Sequence, residues 1–186
     1  RRVVFIACEF DFLAGSIGQA AADRVVMGYL HATAERLPVI TLPTSGCTRM
    51  QEGTAAFFRM TDIARAAHEH PASGAVRIAN RSTSVRTRAR SAPAATSGSG
   101  PRTSDRRASS EMLCNPTTGG VMATWGSYAD VTATEPGALL GFLGPRVYEA
   151  LHERPFPEGV QTSENLARVG VIDDVVALPD LYAWVR

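Results

Sequence analysis

Two short stretches of small residues are the places in this chain where chemistry can be built. One is Ser45-Gly46-Cys47-Thr48-Arg49-Met50-Gln51-Glu52-Gly53; the other is Asn115-Pro116-Thr117-Thr118-Gly119-Gly120-Val121. Each precedes a segment with helical character. The first N–H groups of a helix lack intrahelical partners and carry the positive end of its dipole. Glycine lets a ligand atom come close to such backbone because no side chain intervenes. Two such turns brought together are expected to aim N–H groups at one point, as an oxyanion hole does. That suits a reaction that builds negative charge on a carbonyl oxygen. Thr is available as an N-cap in both, and Thr48 with Gln51 fits the spacing of a capping box.

The elements that must position these turns read as an α/β chain. Val3-Val4-Phe5-Ile6-Ala7-Cys8 is a continuous apolar run with β-branched residues, as in a buried strand. Glu9 to Leu13 alternates, as in a strand leaving the core, and Ala14 to Gly18 is a turn. Residues 19–36 carry apolar positions at helical spacing (Ala22, Val25, Val26, Tyr29, Leu30) up to Leu37-Pro38. Val39 to Leu42 is a second buried strand feeding the first turn, and 54–70 a second helix. After the second turn come a helix of small residues over 120–127, a strand at 131–134, and another at 139–143. A helix then opens at Gly144-Pro145, and another spans 162–169, stopped by Gly170. A strand-like run covers 171–178, and a last helix begins at Leu181. Strand, turn and helix in alternation is the rhythm of layered sheet and helices.

Composition bounds the function. The chain has 186 residues, 45% of them hydrophobic, which suits one domain with a real core. Its three cysteines, Cys8, Cys47 and Cys114, are far apart with no C-x-x-C pair, which points away from a zinc ribbon and a disulfide framework and toward a reducing compartment. No apolar run approaches the length of a membrane span, so no membrane association and a cytoplasmic setting are expected. The chain opens with Arg-Arg rather than Met, and an N-terminally truncated domain is expected.

Net charge is +1, but it is unevenly spread. Every basic residue is Arg, and residues 71–111 hold 8 of the 19 against only Asp105 and Glu111. That segment has no aromatic residue and little to bury, so it reads as a disordered Arg/Ser-rich insertion. An anionic-surface arm is the functional alternative, but no aromatics interleave to stack on bases; nucleic acid is not expected as a partner.

The two turns, together with Glu9-Phe10-Asp11-Phe12, Gly15-Ser16-Ile17-Gly18, Glu135-Pro136-Gly137-Ala138-Leu139-Leu140-Gly141-Phe142 and Gly144-Pro145-Arg146-Val147, resemble the carboxyltransferase beta subunit of acetyl-CoA carboxylase. The resemblance runs over about residues 3–70 and 112–178, in order. It implies a single α/β domain with the crotonase-like ββα superhelix. It also implies the carboxyltransferase half-reaction of a biotin-dependent acyl-CoA carboxylase: a carboxyl group moves from carboxybiotin to the α-carbon of acetyl-CoA or a similar acyl-CoA, giving malonyl-CoA in fatty acid biosynthesis. In that family biotin's ureido nitrogen takes the α-proton, so no side-chain base is required.

By match to the family motif, Gly119 and Gly120 are the expected catalytic, enolate-stabilising positions. Gly46 and Cys47 would line the acyl-CoA side, and Arg49 could meet a CoA phosphate or simply pair with Glu52. No metal ligand and no biotin-binding residue is assigned. Biotin is expected on a separate carrier protein, acyl-CoA as substrate, and zinc is not expected in this chain. The implied partners are an alpha-type carboxyltransferase half, a biotin carboxyl carrier protein and a biotin carboxylase, in an obligate oligomer. The chain differs from the family pattern at Cys47, where a second Gly is usual, and at Ala14, also usually Gly. Segment 71–111 is about 30 residues longer than the family's connection.

Other readings stay open. His68 and His70 are possible metal ligands, or solvated residues at a helix end. Cys47 beside a helix start is a possible nucleophile. Ser16 lacks nucleophile-elbow spacing, and Arg146 is structural or functional. The alternatives to carboxyl transfer are another crotonase-type acyl-CoA enzyme, or a catalytically degenerate homologue acting as an assembly or CoA-binding subunit.

Overall fold

The apolar run at the start of the chain forms β1 (Val4–Ala7), and the second forms β2 (Val39–Leu42), paired in parallel with Val4 opposite Val39 and Ala7 opposite Leu42. This computed structural model describes residues 2–72, 110–127, 129 and 131–184. Parallel neighbours need a crossover, and α1 (Gln19–Ala34) supplies it. A second helix, α2 (Gly53–Ala72), follows the first turn and packs along α1. Then come β3 (Ser110–Leu113), β4 (Thr117–Thr118) and the short α3 (Gly119–Ala123). The chain continues with β5 (Val131–Thr134), β6 (Leu140–Gly141), α4 (Pro145–His152), α5 (Ser163–Arg168), β7 (Asp174–Val175) and α6 (Leu181–Trp184).

All strand ladders are parallel: β1 with β2, β3 with β5 and β5 with β7, and β4 with β6. The first sheet is tied to the second where Cys114 N donates to Pro43 O at 3.0 Å, just past β2 and β3. Pairs of parallel strands joined through helices are the repeat expected from the sequence.

Helical periodicity is turned into burial where the expected stripe faces the sheet. In α1, Ala22, Val25 and Tyr29 are buried with Ala32; in α2, Ala56, Met60, Ile63 and Ala64 are buried. Of these, Ala22, Val25, Tyr29, Met60 and Ile63 meet Ile6 of β1, Ile17, Val121 and Trp125 in one core cluster. Trp125 Nε1 donates to Tyr29 Oη at 3.1 Å, which satisfies the two polar tips this cluster would otherwise strand. Full burial of a large apolar side chain is worth about 1.5–3 kcal/mol. A second cluster joins Leu113, Met122, Ala138, Leu140 and Ile172.

The structure shortens several expected elements. The alternation of Glu9 to Leu13 is not a strand: these residues bend into a short 3-10 turn over Leu13–Gly15, with Leu13 at φ 52° and Ala14 at φ 53°. The strand expected over 171–178 is limited to Asp174–Val175, and that over 139–143 to Leu140–Gly141, because only these residues find a ladder partner. The helix expected over 120–127 ends at Ala123, with a 3-10 turn at Trp125–Ser127. Leu30, expected on the apolar stripe of α1, is exposed, as is Phe57 of α2. At the edges of the expected disordered insertion, Pro71 and Ala72 continue α2, and Ser110 and Glu111 open β3; residues 73–109 lie outside the described residues. No helix among the described residues is long and apolar enough to cross a membrane.

Candidate functional site

The two turns, some seventy residues apart in sequence, are in contact. Ser45 forms a parallel bridge with Thr117. Ser45 N donates to Pro116 O at 2.7 Å, and Thr118 N donates back to Ser45 O at 2.9 Å. Thr118 Oγ1 donates to Gly46 O at 2.8 Å, and Thr117 Oγ1 to Pro43 O at 2.8 Å. The first turn is held in the same way by the loop after β1: Ile17 bridges Thr48, and Arg49 N donates to Ile17 O at 2.9 Å.

Where the turns meet, Gly119 and Gly120 face Cys47 and Thr48. A Cβ placed on Gly119 would stand 2.5 Å from Cys47 Sγ, and one on Gly120 would stand 2.8 Å from Thr48 Oγ1. Gly119 also has φ +61°, a conformation L side chains rarely adopt. Space and backbone together therefore demand glycine there. The Gly120 N–H opens α3 and has no acceptor among the described residues.

The expectation that both turns present N–H donors is met on one side only. Gly46 N donates to Ala14 O at 2.9 Å, and Cys47 N to Ser45 Oγ at 3.3 Å, so the first turn uses these donors internally. The capping expectation is corrected as well. The turn around Met50–Glu52 is 3-10 and α2 starts at Gly53, so Thr48 lies too far upstream to cap it. The Thr48 hydroxyl is buried with no hydrogen-bond partner among the described residues. Thr118 stands at the N-cap position of α3, yet its hydroxyl bonds the first turn instead. Tertiary partners outcompete the local cap.

Arg49 is a brace in this structure. Its Nη2 donates to Ser16 O at 2.9 Å, its Nε to Ser16 Oγ at 3.2 Å and its Nη1 to Glu52 Oε1 at 3.2 Å. Its guanidinium lies 5.5 Å from the Phe12 ring centre. Glu52 Oε2 in turn accepts from Gln19 N, at the start of α1, at 2.7 Å. That N–H, aided by Arg49, holds the Glu52 carboxyl below the usual range. The pair reading of Arg49 with Glu52 is thus observed, and Ser16 takes part through hydrogen bonds. Beside them a cavity of about 580 Å³ runs between β1 and α1 and reaches Ser16 and Arg49, but not Gly46, Cys47, Gly119 or Gly120.

Two residues of the motifs, to which the sequence assigned no role of their own, hold the second turn. Glu135 accepts from Asn115 N at 2.8 Å, and Asn115 Oδ1 accepts from Leu139 N at 2.9 Å. The Asn115–Pro116 peptide is cis. Of the other candidates, His70 is buried with its Nδ1 2.9 Å from Thr33 Oγ1, a partner on α1 rather than a metal shell. No group of three or more His, Cys, Asp or Glu among the described residues is arranged to hold a metal ion. Burial pushes the thiols of Cys8 and Cys114 up, Cys114 to about 12, which keeps both protonated and unreactive. Arg146 sits in the first turn of α4.

A family model described as a carboxyl transferase domain matches residues 1–79. The chain is 49% identical over 181 residues to a probable biotin-dependent acyl-coenzyme A carboxylase beta3 subunit of Mycobacterium tuberculosis; the match covers 97% of this chain and 30% of that protein. It is 33% identical over 180 residues to the acetyl-coenzyme A carboxylase carboxyl transferase subunit beta of Rhizobium leguminosarum, covering 97% of this chain and 49% of that one. The chain therefore spans less than half of the length of these two relatives, 30% of the first and 49% of the second. Among solved structures it superposes on a chain of a Pseudomonas malonate decarboxylase hetero-tetramer with a TM-score of 0.72 at 17% identity, over 97% of this chain and 59% of that chain. With its parallel strand pairs and crossover helices, the fold is the crotonase-like α/β superhelix expected from the sequence.

Proposed function

We propose that this chain supplies the acyl-CoA side of a biotin-dependent carboxyltransferase that gives malonyl-CoA from acetyl-CoA or the homologous product from a similar acyl-CoA. The observation that carries the reading is the contact of the Ser45–Thr48 turn with the Thr117–Gly120 turn, where the Gly120 N–H has no acceptor among the described residues. Similarity to the carboxylase beta subunits supports it.

In this reading the thioester carbonyl oxygen accepts from the Gly120 N–H, with the Gly119 backbone beside it. Loss of an α-proton moves charge onto that oxygen, and a donor already fixed by the Ser45–Thr117 ladder stabilises it without reorganisation. A single such donor is worth about 2.7–4 kcal/mol in comparable sites. Gly46 and Cys47 line the acyl side. Biotin, carried on a separate carrier protein, supplies the activated carboxyl group when bound; no residue of this chain is assigned to hold it. An alpha-type carboxyltransferase half, the carrier protein and a biotin carboxylase complete the assembly.

The test is decarboxylation of malonyl-CoA in the presence of biotin, with the chain mixed with an alpha-type partner. Turnover that is lost in Gly120→Val, with folding retained, is expected. Absence of turnover with a competent partner overturns the reading in favour of a non-catalytic CoA-binding or assembly subunit. One observation favours that second reading: the Cys47 side chain fills the space beside Gly119.

A further inference from the structure

Helix α4 is formed but uncovered. None of its residues is buried, and none joins a core cluster. Its start is fixed in place: Pro145 stands in the first turn, Gln161 Nε2 donates to Leu143 O at 2.8 Å, and β6, just upstream, is paired with β4. The residues after the helix fold back over one side of it. Phe156 N donates to Glu149 Oε1 at 3.4 Å, the Phe156 ring meets the Tyr148 ring edge-on at 5.0 Å, and the Arg154 guanidinium lies 5.6 Å from the Tyr148 ring centre. On another side the helical period brings Val147, Ala150 and Leu151 into one stripe. That stripe is open to solvent, with Val147 50% and Leu151 67% exposed. A helix of eight residues is marginal by itself in water, and an amphipathic helix is stabilised by burying its apolar stripe.

We propose that α4 is a contact between two copies of this chain, the two helices paired antiparallel about a twofold axis. Charge is what selects a second copy. Arg146 and Glu153 are two helical turns apart, on the same flank of the stripe and at opposite ends of it. Both are exposed, and neither forms an ion pair among the described residues. In a twofold pair every contact occurs twice, with the two residues exchanging roles. Antiparallel helices therefore set Val147 on the partner's Leu151 and Arg146 against the partner's Glu153, once at each end. A parallel pair would set like charges side by side and is disfavoured. The patch is at the small end of protein interfaces, so the pair dissociates on dilution.

Sedimentation equilibrium of the full chain over a range of concentrations tests the proposal, with far-UV circular dichroism as the check that each variant is folded. The wild type is expected to pass from monomer to dimer as concentration rises, and Leu151→Glu to stay monomeric over the same range. Arg146→Glu and Glu153→Arg alone are each expected to raise the dissociation constant by about 2- to 30-fold, the range set by two exposed ion pairs. Mixed in equal amounts, these two variants are expected to regain wild-type dimerisation, because each mixed pair again sets Arg against Glu at both ends. That recovery is specific to antiparallel pairing through this flank, and it weakens in high salt. A wild type that is monomeric throughout, a dimer that survives Leu151→Glu, or a mixture that dimerises no better than its components overturns the proposal. A chain that is monomeric alone and binds an alpha-type partner only while Leu151 is intact assigns the stripe to that partner, and overturns it too. The proposal does not depend on the acyl-CoA reading, whose residues these variants leave untouched.

Discussion

The α-carbon of Gly119 lies against Sγ of Cys47, so closely that a β-carbon on Gly119 would stand 2.5 Å from the sulfur. This contact is one of several that join the turn after β2 to the start of α3 and the β4 residues before it, and it bears on both residues at once. Gly119 has φ +61°, and Cys47, which stands where the resembled family has a further glycine, is not among the residues forced to positive φ. The sulfur sits where Gly119 leaves room for it.

Gly119→Ala is expected to lose stability on two counts: about 1–2 kcal/mol for an L residue in the left-handed region and about 1–3 kcal/mol for overpacking. Cys47→Gly in the same chain should restore the overpacking share alone. Urea unfolding of the two single variants and the double variant measures this; additive effects would mean that the sulfur does not meet position 119.

Thr48→Val is expected to leave stability unchanged or raise it, because it replaces a buried hydroxyl without a partner by a methyl group of the same shape. The hydroxyl's desolvation is worth about 1–3 kcal/mol, which bounds the gain from above. A denaturant midpoint lowered by Thr48→Val would show that the hydroxyl is bonded in the folded chain.

Ala14 holds φ 53° and ψ 35° on an exposed loop, and its carbonyl accepts from Gly46 N. Ala14→Gly relieves about 1 kcal/mol of left-handed strain, against about 0.4–1 kcal/mol of added freedom in the unfolded chain. Its melting temperature should therefore match or exceed the wild type's. Ala14→Val, β-branched at the same backbone angles, should melt well below both; equal melting of the Gly and Val variants would contradict the backbone assignment.

Glu111 on β3 is buried and accepts a hydrogen bond from Thr41 Oγ1 of β2 at 3.0 Å. Burial pushes its carboxyl up to about 8. Between the usual glutamate value of about 4.3 and about 8, the folded chain keeps a proton that the unfolded chain has released. Stability should therefore fall as pH rises through that window and level off above it. Glu111→Gln removes the titration, so its advantage over the wild type should grow between pH 5 and pH 8. Unfolding free energies at both pH values decide it, and a constant difference would place the ionised form in the folded chain.

Much of this architecture was legible in the residues themselves. Apolar β-branched runs marked β1 and β2, the spacing of Ala22, Val25 and Tyr29 marked the buried stripe of α1, and the small-residue turns marked where two helices begin. The ends of elements were less legible: Glu9 to Leu13 alternates like a strand, yet it has no ladder partner among the described residues, and within Leu139 to Leu143 the ladder covers Leu140–Gly141. A strand needs a partner as well as a pattern.

By itself the sequence determined which local conformations were within reach: where backbone could turn, where glycine freed an α-carbon, and which faces had to be buried. Only the tertiary structure decided how the polar groups of the turns were used. Gly46 and Cys47 N–H groups look as available as that of Gly120 when read along the chain, and Thr48 looks like a cap. Folding brings Ala14 O and Ser45 Oγ to the first two, moves the start of α2 beyond reach of Thr48, and leaves the Gly120 N–H without an acceptor among the described residues. A hydrogen bond forms with whichever partner the packed chain places nearest, and at this junction the partners come from segments that spacing alone does not connect.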